Sequence, residues 1–189
     1  MIYYQSGSEN TVIGPNELEY GVFSALVKLG QRKKVLALPP DFTRFHSRAG
    51  EVTTLVYKYY KENLTDILPA LGTHSPMTPA EISEMFRGVP SELFRVHDWR
   101  SDVVTVGTVP GDFISEITEG KLSYSWPAQL NRLLVNGKHY LIISIGQVVP
   151  HEVVGMANYN KNLFVGTGGP EGINKSHFIG AVYGMERMM

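Results

Sequence analysis

Three residues late in the chain have types and a spacing that suit a chemical site. His151 follows the apolar run YLIISIGQVVP, Lys161 lies on a loop, and His177 lies near the start of a predicted helix. A neutral imidazole near pH 7 can take or give a proton or bind a metal ion. Loops that follow buried strands meet at one edge of an open α/β sheet, where ligands bind. We therefore take these three residues as the first candidates for a site.

Two upstream loops have the same form, an apolar run followed by polar side chains. Asp41 and Arg44 follow the run LALPP, and His74 follows the run LPALG. A guanidinium group such as that of Arg44 can hold a carboxylate through two parallel hydrogen bonds. Taken one at a time, these residues also allow ordinary structural roles. Asp41 and Arg44 can form a local pair, His74 can belong to a capped turn, and Lys161 can be a solvated loop lysine.

A glycine-rich turn precedes the helix that carries His177. Gly166, Gly168 and Gly169 lie directly before its first residues, and backbone N–H groups in such a turn can bind an anion together with the helix N-terminus. The turn is neither a P-loop nor a GxGxxG fingerprint, so a tight turn into the helix stays open too. A helix N-terminus disfavours a charged imidazole, which would keep His177 able to bind a metal. The other histidines, listed last, fall in polar stretches, where we expect surface positions: His46, His97 and His139.

The elements that must position these loops alternate between helices and strands. Apolar spacing predicts helices over Pro15–Leu29, ended by Gly30, and over 52–60. Thr78 and the following Pro and Glu predict a capped helix start. A last helix is predicted over 170–185, with an inward face formed by Ile173, Phe178, Ile179 and Val182.

Short apolar runs predict the strands, at Val35–Leu38, 66–71, 102–106 and 140–145. Alternating strands and helices imply a mostly parallel sheet with helices on both faces, a Rossmann-like three-layer α/β fold. The 189 residues suffice for one such domain. The last predicted helix has no polar tail, so we expect residues 1–189 to be the N-terminal domain of a two-domain protein whose C-terminal domain is absent from this chain.

Composition excludes several classes of protein. A formal net charge of −1 argues against a nucleic-acid-binding surface. The chain has no cysteine, which excludes disulfides and thiolate metal sites. No apolar run reaches the roughly 18 residues that span a bilayer, and the first residues lack a signal peptide's pattern. We expect a cytoplasmic protein that binds neither nucleic acid nor membrane.

Taken together, the polar loops resemble the N-terminal domain of the nickel-dependent lactate racemase family. The resemblance runs from about residue 35 to the end, and the joint spacing is more specific than any one piece. The matching pieces are Asp41-x-x-Arg44, the loop Gly72-Thr73-His74-x-Pro76-Met77-Thr78, Pro150-His151, and the spacing from His151 through Lys161 to His177.

The resemblance implies an isomerase that racemises or epimerises a 2-hydroxy acid. In that family a nickel-pincer nucleotide (pyridinium-3,5-bisthiocarboxylic acid mononucleotide) binds nickel through a sulfur–carbon–sulfur pincer. A lysine holds this cofactor covalently, and a histidine completes the nickel coordination. By resemblance, Lys161 is the attachment point, His177 is the nickel ligand, and Gly166, Gly168 and Gly169 contact the cofactor.

The same resemblance makes His74 and His151 the two acid/base residues. Arg44 would hold the substrate carboxylate, and Asp41 would support the site. Two histidines on opposite sides of a substrate can each act as base for one enantiomer and as acid for the other. The implied partners are a small 2-hydroxy acid or sugar acid and the C-terminal domain of the same protein, with a homo-oligomer left open.

Two other classes of function stay open. In the first, His74, His151, His177 and Asp41 ligate zinc or iron in a hydrolase, although no compact HxH or HxxxH pair exists and Lys161 would have no role. In the second, the domain binds a ligand without catalysis. Lys161→Ala would then leave ligand binding intact, and no covalent adduct would form.

Overall fold

A three-stranded parallel sheet lies at the centre of the molecule. The computed structural model describes residues 1–151, 153 and 155–187. Its central sheet has the order β2-β1-β5, with β1 at Val35–Leu38, β2 at Leu64–Ile67 and β5 at Leu141–Ser144. All of β1 is fully buried, as expected for a central parallel strand covered on both faces.

Helices surround this sheet, and a second, two-stranded sheet stands beside it. The remaining elements are α1 Pro15–Leu29, α2 Ala49–Tyr60, α3 Pro79–Met85, β3 Val103–Val109, α4 Gly111–Ile117, β4 Trp126–Asn131, α5 Arg132–Asn136, α6 Asn160–Phe164 and α7 Pro170–Tyr183. Short 3-10 helices lie at Phe42–Ser47, Lys61–Asn63, Ser91–Leu93 and Met185–Arg187. In the described part of the chain, no helix is long and apolar enough to cross a membrane.

The two faces of β1 pack into separate apolar clusters. Val35 and Ala37 join a large cluster that includes Leu26 of α1 and Val56 of α2. Leu36 and Leu38 face the other way and join Leu68, against which Leu133 and Leu134 of α5 and Leu163 of α6 pack. This alternation follows from the two-residue period of a strand. The predicted α/β fold, a parallel sheet flanked by helices, is confirmed.

The strand predicted at 102–106 does not belong to the central sheet. It is β3, which pairs antiparallel with β4 to form a hairpin. α4 lies between these two strands in the chain. Most residues of β3 are exposed or only half-buried. An antiparallel sheet tolerates one solvated face, whereas a strand inside a parallel sheet must be buried on both sides.

The last helix is shorter than predicted and buries a narrower stripe. α7 ends at Tyr183 because Gly184, with φ of 114°, leaves the helical region. Ile173 and Ile179 are buried, but the side chains of Phe178 and Val182 are 52% and 38% exposed. Of the four residues predicted to face inward, two are therefore buried and two are exposed.

Two of the three histidines expected at the surface have buried side chains, namely His97 and His139. His46 is exposed as predicted, but the side chain of His139 is fully buried, with Nε2 at 2.8 Å from Oδ2 of Asp66. Arg95 also pairs with Asp66, at 2.8 Å. Burial raises the pKa of Asp66, but hydrogen bonds from His139 and Thr65 and the charge of Arg95 outweigh it and hold that pKa below its usual value.

His97 is the centre of a second buried network. Its Nε2–H donates to the carbonyl of Gly168 at 3.0 Å, and its Nδ1 accepts from the Asn131 amide at 2.9 Å. The Asn131 amide also reaches Asp102 at 3.1 Å. Burial lowers the pKa of His97, although the Gly168 carbonyl, Asp102 and Asp98 act in the opposite direction. A neutral His97 thus ties the end of β4 to the turn before α7.

The β3–β4 hairpin also holds the first turns of α7. The side chain of Gln129 accepts from the N–H of Gly172 at 3.0 Å, and the indole of Trp126 donates to the Gly172 carbonyl at 2.8 Å. The hydroxyl of Tyr124 donates to the carbonyl of Lys175 at 2.6 Å. Side chains of the hairpin therefore fix where α7 begins and how it lies.

The lowered pKa of His97 predicts a specific pH dependence of stability. In the unfolded chain this histidine has a pKa of about 6.5 and takes up a proton near that pH, whereas folded His97 stays neutral to lower pH. Its contribution to the free energy of unfolding is therefore fully present above about pH 6.5 and is lost as the pH falls below that value. In His97→Gln this contribution should vanish. Urea denaturation at pH 7 and pH 5 should therefore show a smaller loss of unfolding free energy than in the wild type.

The exposed His46 offers the matched control. His46→Gln should show the same loss between pH 7 and pH 5 as the wild-type chain. An unchanged loss in His97→Gln would contradict the buried neutral state of His97.

Candidate functional site

A pocket of about 530 Å³ opens at the carboxyl ends of the central strands. The loops after β1, β2 and β5 supply its walls, together with α6 and α7. Most of the residues singled out from the sequence line it, namely Asp41, Arg44, His74, His151, Lys161, Gly166 and His177. Gly168 and Gly169 are not among its lining residues. The parallel sheet thus brings together loops that are more than 100 residues apart.

Asp41 and His74 form a hydrogen-bonded pair on one wall. Asp41 is buried and begins the 3-10 helix Phe42–Ser47, where its Oδ1 accepts from the backbone and hydroxyl of Thr43. Its Oδ2 lies 2.6 Å from Nδ1 of His74, whose side chain is 55% exposed. A carboxylate only accepts hydrogen bonds, so Nδ1 of His74 carries the proton. In the neutral ring, Nε2 then has the lone pair of a base.

The loop that carries His74 is fixed by backbone contacts. The N–H of His74 donates to the carbonyl of Leu71 at 2.9 Å, and the N–H of Gly72 donates to the carbonyl of Gly166 at 2.8 Å. Gly72 has a φ of 55°, a conformation that suits glycine. Downstream, Thr78 caps α3 in a capping box, as predicted. The His74 loop is therefore tied to the segment that follows Lys161.

His151 has the opposite ring arrangement. Its backbone N–H donates to the carbonyl of Gly155 at 2.8 Å, and its Nδ1 accepts from the N–H of Val153 at 3.1 Å. Because Nδ1 accepts, the neutral ring of His151 has its proton on Nε2. His74 and His151 therefore lie at the same pocket as different tautomers, His74 with a lone pair on Nε2 and His151 with a hydrogen-bond donor there.

Lys161 and Arg44 reach the pocket from short helical segments. Lys161 lies in the one-turn helix α6 and is half-buried, and its carbonyl accepts from Val165 at 2.9 Å and from Gly166 at 2.8 Å. Arg44 is half-buried in the 3-10 helix that Asp41 begins, and its carbonyl accepts from Ser47 at 2.6 Å. One short element thus positions both the cation and the carboxylate that pairs with His74.

His177 lies two turns inside α7 rather than near its start. The argument from the helix N-terminus therefore does not apply to it, because the helix dipole acts within the first turn. Its ring is fixed differently, since Nδ1–H donates to the carbonyl of Ile173 at 2.8 Å. That bond leaves the lone pair on Nε2, the arrangement usual for a histidine that ligates a metal.

Gly168 and Gly169 lie in a tightly packed turn. A Cβ atom at Gly168 would meet the carbonyl oxygen of Phe164 at 2.1 Å, and one at Gly169 would meet Oε1 of Gln129 at 2.6 Å. The Gly168 carbonyl accepts from His97, and the helix N–H of Gly172 donates to Gln129. The geometry thus favours the tight-turn interpretation, and a contact of these two glycines with a cofactor stays a prediction.

The pocket residues that were not singled out from the sequence include Asn158 and Asn162, and also His46, which was expected only at the surface. The two asparagine amides hydrogen-bond each other and the end of β5. The available signal was Asn158 itself, because asparagine tolerates the left-handed backbone that it adopts here, with φ of 63°. Nothing in the local pattern indicates that Asn162 faces β5.

A metal site built from protein ligands alone finds no support. Within residues 1–151, 153 and 155–187, no three His, Cys, Asp or Glu side chains converge in a way that could hold an ion. The hydrolase interpretation needs such a cluster from its three histidines and Asp41. A metal bound by His177 would instead take its other donors from a bound molecule.

The solved structures that share this fold include a protein from Thermotoga maritima and a lactate racemase apoprotein. The Thermotoga maritima protein superposes with a TM-score of 0.75 at 26% identity, covering 93% of this chain and 43% of its own. The lactate racemase apoprotein from Thermoanaerobacterium thermosaccharolyticum superposes with a TM-score of 0.57 at 22% identity, covering 87% of this chain and 36% of its own. The chain thus spans less than half the length of either protein. Among curated proteins, none matches the chain.

Comparison with protein families gives a match over nearly the whole chain. The sequence pattern of the lactate racemase N-terminal domain matches residues 22–187. This range contains the central sheet and all of the residues that line the pocket. The chain therefore belongs to the lactate racemase N-terminal domain family.

Proposed function

We propose that this chain is the cofactor-carrying part of an isomerase that racemises or epimerises a 2-hydroxy acid. One observation carries the proposal: a single pocket gathers the acid/base, anion-binding and attachment residues expected from the sequence. These are Asp41, Arg44, His74, His151, Lys161 and His177. Family membership supports the general class of activity, and the pocket supports the specific chemistry.

The residues present fit a nickel-pincer nucleotide. Lys161 would hold it covalently, and Nε2 of His177 would bind its nickel, since the Ile173 carbonyl accepts from Nδ1. The pincer would supply the donors that the described side chains do not. When bound, the nucleotide supplies an acceptor and donor of hydride, whereas the protein places the substrate and moves its protons.

The two histidines divide the proton transfers between them. Nε2 of His74 would take the hydroxyl proton of one enantiomer, and Asp41 would stabilise the resulting imidazolium through its 2.6 Å contact with Nδ1. In its protonated form, in which Nδ1 no longer accepts from Val153, His151 would give the proton on Nε2 to the carbonyl oxygen on the opposite side and return to the neutral ring. For the other enantiomer the roles are exchanged, because the neutral His151 would take the hydroxyl proton and the protonated His74 would give its proton back.

Arg44 would bind the substrate carboxylate. It lies on the 3-10 helix that Asp41 begins and lines the same pocket, so one short segment would place both the carboxylate clamp and the Asp41 carboxylate that orients His74. The volume of about 530 Å³ lies within the usual range for small-molecule sites. Lactate, a larger hydroxy acid or a sugar acid all belong to the proposed substrate class.

The proposal includes further parts of the protein and its location. The relatives' chains are more than twice as long as the matched region, and we propose that a C-terminal domain covers the pocket and adds substrate contacts. Assembly into a homo-oligomer stays an open part of the proposal. We place the activity in the cytoplasm because the cysteine-free composition fits a reducing compartment.

The covalent attachment gives the first test. The full-length protein, co-produced with the enzymes that build the cofactor, should gain mass at Lys161 and contain about one nickel per chain. Intact mass spectrometry with peptide mapping and metal analysis measure both. Lys161→Ala should lose the added mass.

The loading system needs its own positive control, a known lactate racemase produced in the same cells. If that control is loaded while this protein gains neither mass nor nickel, the proposed function is wrong.

The Asp41–His74 pair gives the second test. Asp41→Asn leaves a group of the same shape but removes the charge that stabilises a protonated His74. With the loaded enzyme we expect kcat to fall by roughly 100-fold, the lower end of the usual contribution of acid/base catalysis, with a smaller change in KM. Chiral chromatography of a panel of hydroxy acids, starting with lactate, measures the rate.

Asp112 is the matched control, since it is an exposed carboxylate in the first turn of α4. Asp112→Asn should retain the wild-type kcat. A wild-type kcat in Asp41→Asn would remove Asp41 from the mechanism.

A further inference from the structure

The backbone just before Lys161 is strained in two consecutive residues. Asn158 has a φ of 63°, and Tyr159 has φ of 50° and ψ of −137°. Asparagine tolerates the left-handed region, but this combination at Tyr159 is sparsely populated for any residue other than glycine. Such strain persists only where the surrounding contacts determine the conformation.

The side chain of Asn158 supplies those contacts. Its Oδ1 accepts from the hydroxyl of Ser144 at 3.0 Å and from the amide of Asn162 at 2.8 Å. Its Nδ2 donates to the carbonyl of Gly146 at 2.9 Å. The Asn162 amide reaches the carbonyl of Ile145 at 3.2 Å. We call Asn158 and Asn162 the asparagine latch, because together they fasten α6 to the carboxyl end of β5.

The asparagine latch lies directly against the backbone of the loop that follows β5. A Cβ atom at Gly146 would come within 3.2 Å of Cγ of Asn158, closer than most real contacts of a Cβ atom, so a side chain at position 146 would push against the Asn158 amide. The amide of Asn158 is therefore not a group that reaches out to substrate. Its oxygen and one of its N–H groups are already used within the protein.

Lys161 depends on the latch for its position. It lies between the two asparagines in sequence, and its N–H donates to the carbonyl of Asn158 at 3.0 Å. α6 has only five residues, too few for a helix that is stable without tertiary contacts. Its Leu163 side chain packs under the sheet, but the polar contacts at its N-terminal end come from the latch.

We propose that Asn158 is a positioning residue that holds Lys161 in the pocket. The role of Lys161 as the attachment point rests on the proposed function. The contacts of the asparagine latch do not, because they form within the protein alone. The strained backbone at Asn158 and Tyr159 is the conformation in which the amide reaches β5. Without the amide, α6 detaches from β5 and Lys161 moves out toward solvent.

Lysine labelling of the full chain without cofactor tests this directly. Reductive methylation with formaldehyde and a borane, read by peptide mass spectrometry, gives the labelling rate of Lys161 relative to the exposed Lys58 of α2. In Asn158→Gly, which removes the amide and also eases the backbone strain, the ratio should rise at least about threefold, because local opening exposes the amine. The pH dependence of labelling at Lys161 should also approach that of Lys58.

Two further variants separate the latch from the strain. Asn158→Asp keeps the acceptor for Ser144 and Asn162 but loses the donor to Gly146, so its ratio should lie between those of the wild type and Asn158→Gly. Tyr159→Gly relieves strain and leaves the latch intact, so its ratio should equal the wild-type value. An equal rise in Tyr159→Gly would assign the effect to the backbone and overturn the proposal.

Folding is monitored by thermal unfolding of each variant. A folded Asn158→Gly with the wild-type ratio and pH dependence would overturn the proposal. If that variant does not fold, Asn162→Ala replaces it as the test of the latch, with the same expected rise and the same overturning result. A latch that behaves as expected in a protein that never takes up nickel would contradict the proposed function alone.

Discussion

The parallel pairing of β1 with both of its neighbours is the constraint on which the rest depends. β1 runs in register with β5 from its first residue to its last and also pairs in parallel with β2. Three chain segments must therefore leave the sheet at one edge, where Asp41, His74 and His151 follow their strands. Because β1 is buried on both faces, its register cannot slip without moving side chains into the wrong apolar cluster. The geometry of the polar loops follows from the packing of an apolar strand.

The central sheet does not place all of the site by itself. α7, which carries His177, is held by Gln129 and Trp126 of the β3–β4 hairpin, and the turn before it is held by His97. The buried imidazole must stay neutral to accept from Asn131 while donating to Gly168. The hairpin therefore acts as a support for the site without entering the pocket, and changes far from the pocket can move the proposed metal ligand relative to the proposed base.

The sequence predicts those features whose cause is local. Pro15 and Gly30 mark the ends of α1, and the capping box at Thr78 marks the start of α3, because both signals act within one turn of helix. Asp41, His74 and His151 are predictable for a related reason, since each follows an apolar run. By contrast, burial of His97 depends on Gly168, 71 residues away, and the hairpin of β3 and β4 forms from strands whose side chains are mostly half-exposed. No local pattern contains such tertiary contacts, so the burial of His97, the pairing of the predicted strand at 102–106 with β4, and the contacts of Asn158 could not be predicted from the sequence.

The two proposed acid/base histidines are unequal, and thermodynamics limits how that inequality can appear. His74 has a carboxylate on Nδ1, whereas His151 accepts a backbone N–H at the same atom, so the two rings have different hydrogen-bond partners. In a racemisation the two enantiomers have equal free energy, so kcat/KM must be the same in both directions. If the unlike histidines make the two directions differ, kcat and KM must then differ by the same factor, so that their ratio stays the same. Such a difference would arise from the population of protonation states in each bound complex. In an epimerisation the two substrates differ in free energy, and kcat/KM itself differs by the equilibrium constant. The proposed site is therefore built from unlike halves even if the reaction that it catalyses is symmetric.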